Sequence, residues 1–272
     1  MRDESIGLVA GGGKLPQLFA NAARRQGLKV HAVAHVGETD EGLERFVDSM
    51  QWVRVGQAGR IVDCLKARGV SRAVMAGSIG RVKSLRQARP DAGMLRIAMG
   101  LRTFRDDALL RAIAGYFEQH GVTIVAPTDY VKEVLAVEGH LAGPKPTSLQ
   151  HKDVELGLEV AAALGRADVG QTVVVKEGVV LAVEAVEGTD EAIRRAGKLG
   201  GPGAVVVKRT KPGQDLRFDL PAAGPITLEV MREAGAKVLA VEAGKSVILD
   251  SEALLNDAQR LQITVLGVRV ES

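Results

Sequence analysis

Short continuous apolar runs alternate with stretches of helical spacing through the first half of the chain. Ile6–Ala10, Lys29–Ala34, Val53–Val55, Arg72–Ala76 and Val122–Ala126 read as strands. Pro16–Gln26, Ala58–Arg68 and Asp106–Gln119 read as helices; in the last, Leu109, Leu110, Ile113 and Phe117 recur along one helix face. Such alternation predicts a doubly wound parallel sheet. The stretch "GHLAGPKPTSLQ" interrupts it with two Pro and two Gly, which bias the chain towards extended and turn conformations. The expected division is therefore a Rossmann-like domain over 1–135, a linker over 136–152 and a second domain over 153–272.

The second half has a different texture. Thr172–Lys176 and Val179–Ala185 flank Glu177-Gly178, a hairpin signal. "EGTDEAIRRAG" predicts a helix capped by Thr189 or Asp190. Strand Ala204–Lys208 precedes a polar loop, and Pro225 suits the first turn of a helix. Strands at Val238–Val241, Ser246–Leu249 and Ile263–Val268, with a helix capped by Asp250 or Ser251, complete a mixed α/β domain. The fold class expected is thus α/β, a Rossmann-like parallel sheet plus a distinct mixed domain.

Composition narrows the function classes. Hydrophobic residues are 46% and charged residues 25%, which fits packed cores and not long disorder. Aromatics are only 3%, too few for the stacking platforms of a single-strand nucleic-acid binder, and no recognition motif is present. No nucleic-acid partner is expected. No apolar run approaches the ~18 residues of a membrane span, so the reading is a soluble, cytoplasmic protein. The lone Cys64 can form neither an internal disulfide nor a zinc site. The net charge of +3 is small, yet 81–105 alone carries seven Lys or Arg against Asp91. With Leu85, Met94, Leu95, Ile97, Met99 and Leu101 interleaved, that segment is basic and amphipathic. It reads as a solvated face, a phosphate grip or a contact with an anionic membrane.

The opening "GLVAGGGKLPQLFANAARRQG" places glycines between a strand and a helix. It misses the dinucleotide fingerprint at Pro16 and the P-loop at Leu8 and Leu15. What remains is an anion site built from Gly12, Gly13 and Lys14 at a helix N-terminus, or else a tight turn. Glu38 and Asp40 come too late to serve as the ribose acid of a redox dinucleotide site. "AGSIGR" repeats the logic with Gly77 and Ser78, again with an ordinary turn as the alternative.

Acidic residues supply the other candidates. Glu184 breaks an apolar run, where a carboxylate is costly unless paired or metal-bound. The loop "KRTKPGQDLRFDLP" gathers Lys208, Gln214 and Asp219 among further charges of both signs, a composition suited to a polyphosphate. Asp106 and Asp107 stand at a helix start, where capping is the default reading. The five His lack metal spacing, and no G-x-S-x-G elbow or dinuclear metallophosphoesterase motif occurs.

Taken in order, "GLVAGGGKLPQLFANAARRQG", "AGSIGRVK", "FRDDALLRAI", "AVEAVEGTDEAI" and "KPGQDLRFDLPAAGPIT" resemble the LpxI-type UDP-2,3-diacylglucosamine pyrophosphatases of lipid A biosynthesis. The resemblance spans Ile6 to about Val270. It implies a substrate held between two domains and Mg²⁺-dependent hydrolysis to UMP and 2,3-diacylglucosamine 1-phosphate. It further implies Asp219 as the acid that binds metal or positions water, with Glu184 and Asp107 as further acids and Glu184 as a second metal ligand. Thr189, Asp190, Lys208 and Gln214 fall in motif positions that meet the sugar phosphate. Gly12, Gly13, Lys14, Gly77 and Ser78 lie nearer the nucleotide. The lipid substrate gives 81–105 a reason to meet the inner face of a Gram-negative inner membrane. A homodimer is left open. A non-catalytic nucleotide-sugar sensor and a nucleotide-dependent oxidoreductase are the competing classes.

Overall fold

A computed structural model describes residues 4–80, 88–101, 106–213, 215–218 and 220–270, the side chains of 106 and 107 excepted. The chain forms two compact units, one of Met1–Lys132 with Asp215–Asp219, the other of Glu133–Gln214 with Leu220–Ser272.

In the first unit, β1 (Ser5–Ala10), α1 (Leu15–Arg25), β2 (Lys29–His35), β3 (Ser49–Val53), α2 (Ala58–Lys66) and β4 (Arg72–Ala76) follow in turn. Then come α3 (Ala92–Gly100), α4 (Asp106–Gln119) and β5 (Thr123–Ile124). The sheet order is β3-β2-β1-β4-β5, all parallel. Apolar residues fill both faces of the central strands, because helices cover both. Helix α1 packs on β1, β2 and β4. Val9, Val33 and Ala73 instead meet Ile61, Val62 and Leu65 of α2 and Phe117 of α4. The chain moves outward from β1 to β3 and then returns to β4 on the other side of β1. The switch point of the topology is therefore between β1 and β4.

The second unit contains β6 (Gly139–Ala142), α5 (Ser148–Arg166), β7 (Thr172–Lys176), β8 (Val179–Val183), α6 (Thr189–Gly200) and β9 (Val205–Lys208). It continues through β10 (Ala222–Ala223), α7 (Pro225–Ala234), β11 (Val238–Glu242), β12 (Val247–Ile248), α8 (Ser251–Leu261) and β13 (Thr264–Val268). Its main sheet runs β6-β13-β11-β9-β7-β8, with β9, β11 and β13 mutually parallel and β6 and β7 antiparallel to their neighbours. Helix α5 lies on the face of Val205, Val207, Val238 and Ala240. The opposite face, with Val174, Val206, Leu239 and Val241, packs against residues of α6, α7 and α8. At the β7–β8 turn Glu177 (φ 51°) and Gly178 (φ 76°) are both left-handed, as a two-residue hairpin needs. The buried Asp153 carboxylate accepts from both of their N–H groups, at 2.9 and 2.7 Å.

Several expectations are corrected. The stretch expected as a linker contains β6, an edge strand on β13, and the capped start of α5 at Thr147, so much of 136–152 is ordered in the second unit. The third strand lies earlier than Val53–Val55, because Val53 already pairs with the last residue of β2. Neither Thr189 nor Asp190 caps α6: Gly188 holds the N-cap position at φ 85°, and both stand in the first turn. Asp250 occupies the N-cap position of α8, but its side chain makes no capping bond to that helix.

Candidate functional site

The glycine-rich ends of β1 and β4 meet each other. Gly11 N–H donates to the Ala76 carbonyl (2.8 Å) and Gly12 N–H to the Ser78 carbonyl (2.7 Å), while Ser78 N–H returns a bond to Gly12 (3.0 Å). A Cβ at Gly11 would stand 2.5 Å from the Ser78 oxygen, and one at Gly77 (φ 91°) 2.5 Å from the Gly12 oxygen. These glycines therefore allow two loops to lace together. The cradle expected from Gly12 is corrected accordingly: its N–H is already engaged, and Gly13 and Lys14 remain as the exposed part of the turn. The lacing sits at the switch point, where open α/β sheets bind ligands.

Glu38 also belongs to this corner, although its sequence spacing argued against it. Its carboxylate accepts from Gly80 N–H at 3.1 Å. Beneath it the Ala10 carbonyl accepts from the Thr39 hydroxyl (2.7 Å) and from His35 Nδ1 (2.8 Å). Burial lowers the His35 pKa against the opposing pull of the Ala10 bond and Glu38.

The second unit concentrates its polar groups on one edge of its sheet. Residues paired across strands share a face. Thr172 pairs with Lys208, and Glu184 N–H bonds the Thr172 carbonyl at 2.8 Å. Glu184, Thr172 and Lys208 thus form a row across β8, β7 and β9. Thr172 is fully buried and Lys208 is 6% exposed. Thr189, in the first turn of α6, donates to Glu184 Oε1 (3.0 Å) and lies 3.3 Å from the Thr172 hydroxyl. Lys208 Nζ donates to the Ala222 carbonyl at 2.7 Å, tying the far end of the 209–221 loop to its near end.

A second row occupies the opposite face of the same edge. Arg209 N–H bonds the Gln171 carbonyl (3.0 Å), and the register continues to Glu242 on β11. Glu242, 2% exposed, accepts from Thr210 N–H (2.9 Å) and from Lys245 (2.8 Å). Among the described residues, buried side-chain atoms without a hydrogen-bond partner are Gln171 Oε1, Glu184 Oε2, Arg209 Nε, Thr210 Oγ1 and Ser246 Oγ. All five belong to this edge. At about 1–3 kcal/mol for each unsatisfied group, they would consume a large part of a net stability of about 5–15 kcal/mol. Water or a ligand can satisfy such groups.

The structure therefore brings Glu184, Thr189 and Lys208 together, with Asp190 beside them in the same helical turn. It adds Thr172 and Glu242, which sequence reasoning missed. Thr172 is an ordinary strand residue by type, and Glu242 ends an apolar strand much as Glu184 does, a signal that could have found it. Gly12, Gly77 and Ser78 meet at the first unit's corner, beside Gly13 and Lys14. Asp219 and Gln214 lie outside the described residues, as does the side chain of Asp107. Asp215 and Arg217, within the first unit, form an ion pair (2.8 Å) that holds the Asp215 carboxyl below its ordinary pKa; Arg217 also reaches Glu118 at 3.0 Å.

As a metal site, the edge has the right donor chemistry. Glu184 Oε2 and the neighbouring hydroxyls are hard oxygen donors, which suit Mg²⁺. No cluster of three His, Cys, Asp or Glu occurs among the described residues. An ion here would draw the rest of its shell from water and phosphate oxygens, the usual manner of Mg²⁺.

Comparison with known proteins follows the same division. A family model described as the LpxI N-terminal domain matches residues 5–134, and one described as the LpxI C-terminal domain matches 137–266. The UDP-2,3-diacylglucosamine pyrophosphatase LpxI of Caulobacter vibrioides is 34% identical over 276 residues, covering 97% of this chain and 97% of its own. Solved structures with partial likeness include the ADP complex of N5-carboxyaminoimidazole ribonucleotide synthetase, at 13% identity and a TM-score of 0.30, over 75% of this chain and 46% of that one. The same synthetase from Thermotoga maritima has 13% identity and a TM-score of 0.26, over 68% and 43%. The chain spans less than half the length of either structure, and a likeness of that degree carries no argument.

The lacing of the first unit is open to test. Gly77→Ala should destabilise it by about 2–4 kcal/mol, the sum of a left-handed backbone and overpacking, measured by guanidinium unfolding. Gly115→Ala, in α4 with no neighbour within 4 Å of the new Cβ, should be neutral or stabilising by about 0.5–1 kcal/mol. Equal effects at the two positions would contradict the lacing.

Proposed function

The chain belongs to the LpxI family, and we propose that it hydrolyses the pyrophosphate of UDP-2,3-diacylglucosamine, the substrate named for its Caulobacter relative. The observation that carries this reading is the Glu184 carboxylate oxygen, buried without a partner in a row with Thr172 and Lys208. A carboxylate so placed suits a cation, and a cation suits a pyrophosphate.

A substrate pyrophosphate repels both hydroxide and bare carboxylates until its charge is neutralised. Lys208 and Arg209 supply fixed positive charge at the edge, and the N-terminus of α6 adds a partial one. Thr189, Asp190 and Gln214 are the groups proposed to orient the sugar phosphate. Asp219 is proposed to hold the attacking water and accept its proton; Glu184 and Asp107 are each proposed as further catalytic acids. The water oxygen bonds to one phosphorus as a bridging P–O bond breaks. Asp219 and Glu184 are each proposed as a ligand of Mg²⁺, which when bound would neutralise phosphoryl charge and polarise the P–O bonds. The products are UMP and 2,3-diacylglucosamine 1-phosphate, an intermediate of lipid A biosynthesis. Gly13 and Lys14, beside the laced Gly12, Gly77 and Ser78, are assigned to the nucleotide.

The lipid substrate also bears on location. No helix among the described residues is long and apolar enough to cross a membrane. Helix α3 exposes Leu95 (53%) and Met99 (80%) one turn apart, with Arg96 exposed beside them. We assign this face, with the basic sequence around it, to contact with the anionic inner surface of the inner membrane.

Product analysis by mass spectrometry tests the activity. Wild type should form the two products in equal amounts, lose activity in EDTA and regain it with Mg²⁺. Asp219→Ala should lower kcat by about 10³-fold or more, as loss of a principal catalytic group does, while substrate affinity changes little. Wild-type turnover in that variant would overturn the assignment. For the membrane contact, wild type should sediment with phosphatidylglycerol vesicles and not with phosphatidylcholine vesicles. Leu95→Ser with Met99→Ser should abolish sedimentation; retention of it would contradict the assignment of α3.

A further inference from the structure

We propose that Thr172 is a positioning residue, which fixes the Glu184 carboxylate through the hydroxyl of Thr189. The inference rests on the reading of Glu184 as an acid of the site. Thr172 opens β7 and is followed by Val173, Val174 and Val175, all buried. Its own side chain is fully buried, where a hydroxyl is unfavourable without a hydrogen bond. Among the described residues, the hydrogen-bond partner of that hydroxyl is Thr189 Oγ1, at 3.3 Å.

The direction of the chain of bonds follows from the chemistry of its end. An ionised carboxylate only accepts, so the Thr189 hydroxyl must donate to Glu184 Oε1 at 3.0 Å. With its proton committed, Thr189 can meet Thr172 only as an acceptor, and Thr172 therefore donates to it. Each hydroxyl rotor is thereby set, and Oε1 is held. The second oxygen, Oε2, is buried without a hydrogen-bond partner. Close packing restrains the Glu184 backbone as well: a Cβ at Gly170 would stand 2.1 Å from the Glu184 carbonyl oxygen.

Valine is close to threonine in shape and suits a strand at least as well, so Thr172→Val removes the hydroxyl while leaving the packing. Groups that orient a metal ligand typically change metal affinity or activity by about 10–100-fold when removed. Thr172→Val should therefore bind Mn²⁺, read by electron paramagnetic resonance of the free ion, at least tenfold more weakly. Its kcat should fall similarly, with KM within about twofold. Thr172→Ser, which restores the hydroxyl, should recover both. Thr189→Val should reproduce the defect, and the double variant should be no worse than the worse single one, because both break one chain of bonds. Additive losses, or wild-type Mn²⁺ affinity and kcat in Thr172→Val, would overturn the proposal. Glu184→Gln separates the two levels. If it leaves Mn²⁺ binding and turnover intact, the reading of Glu184 fails. If it abolishes them while Thr172→Val does not, the positioning role alone fails.

Discussion

A sheet covered by helices on both faces leaves its strands only their ends for polar chemistry. That constraint organises both units. In the first, the carboxyl ends of β1 and β4 carry glycines, because two loops leaving adjacent strands in opposite directions must pass within a Cβ of each other. In the second, the same requirement collects Glu184, Thr172, Lys208, Arg209 and Glu242 on one edge, while the interior of the same strands is almost wholly valine, leucine and alanine.

The two edges differ in how far they are satisfied. At the first, the Ala10 carbonyl has two donors and the glycine N–H groups bond the opposing loop. Such a corner makes its hydrogen bonds within the chain. At the second, acceptors and donors stand buried without partners. Preorganised but incomplete polar groups are what a charged phosphoryl centre requires, since the ligand then supplies the missing contacts. That asymmetry supports the proposal that the glycine corner meets the nucleotide and that Glu184 takes part in the chemistry.

Much of the fold was legible because continuous apolar runs mark strands buried on both faces; β1, β2, β4, β9 and β11 follow that rule. The apolar signal of β3 is weak because Ser49 and Gln51 interrupt its pattern at the sheet's margin. β6 was hidden among Gly and Pro, since an edge strand needs only backbone pairing and not an apolar sequence. In the site, Glu184 and Lys208 were visible as charges ending apolar runs. Thr172 was not, because a threonine in a strand is unremarkable until its neighbours across the sheet are known. Glu38 stands too late in the sequence for the ribose acid of a dinucleotide site, and only the fold brings it to Gly80.

The proposal that Glu184 is a ligand of the cation is tested most directly by crystals of the wild-type protein soaked in Mn²⁺, with anomalous scattering used to locate the ion. The account predicts a peak at coordination distance from Glu184 Oε2. A peak at the glycine corner of the first unit, with none at Glu184, would contradict it.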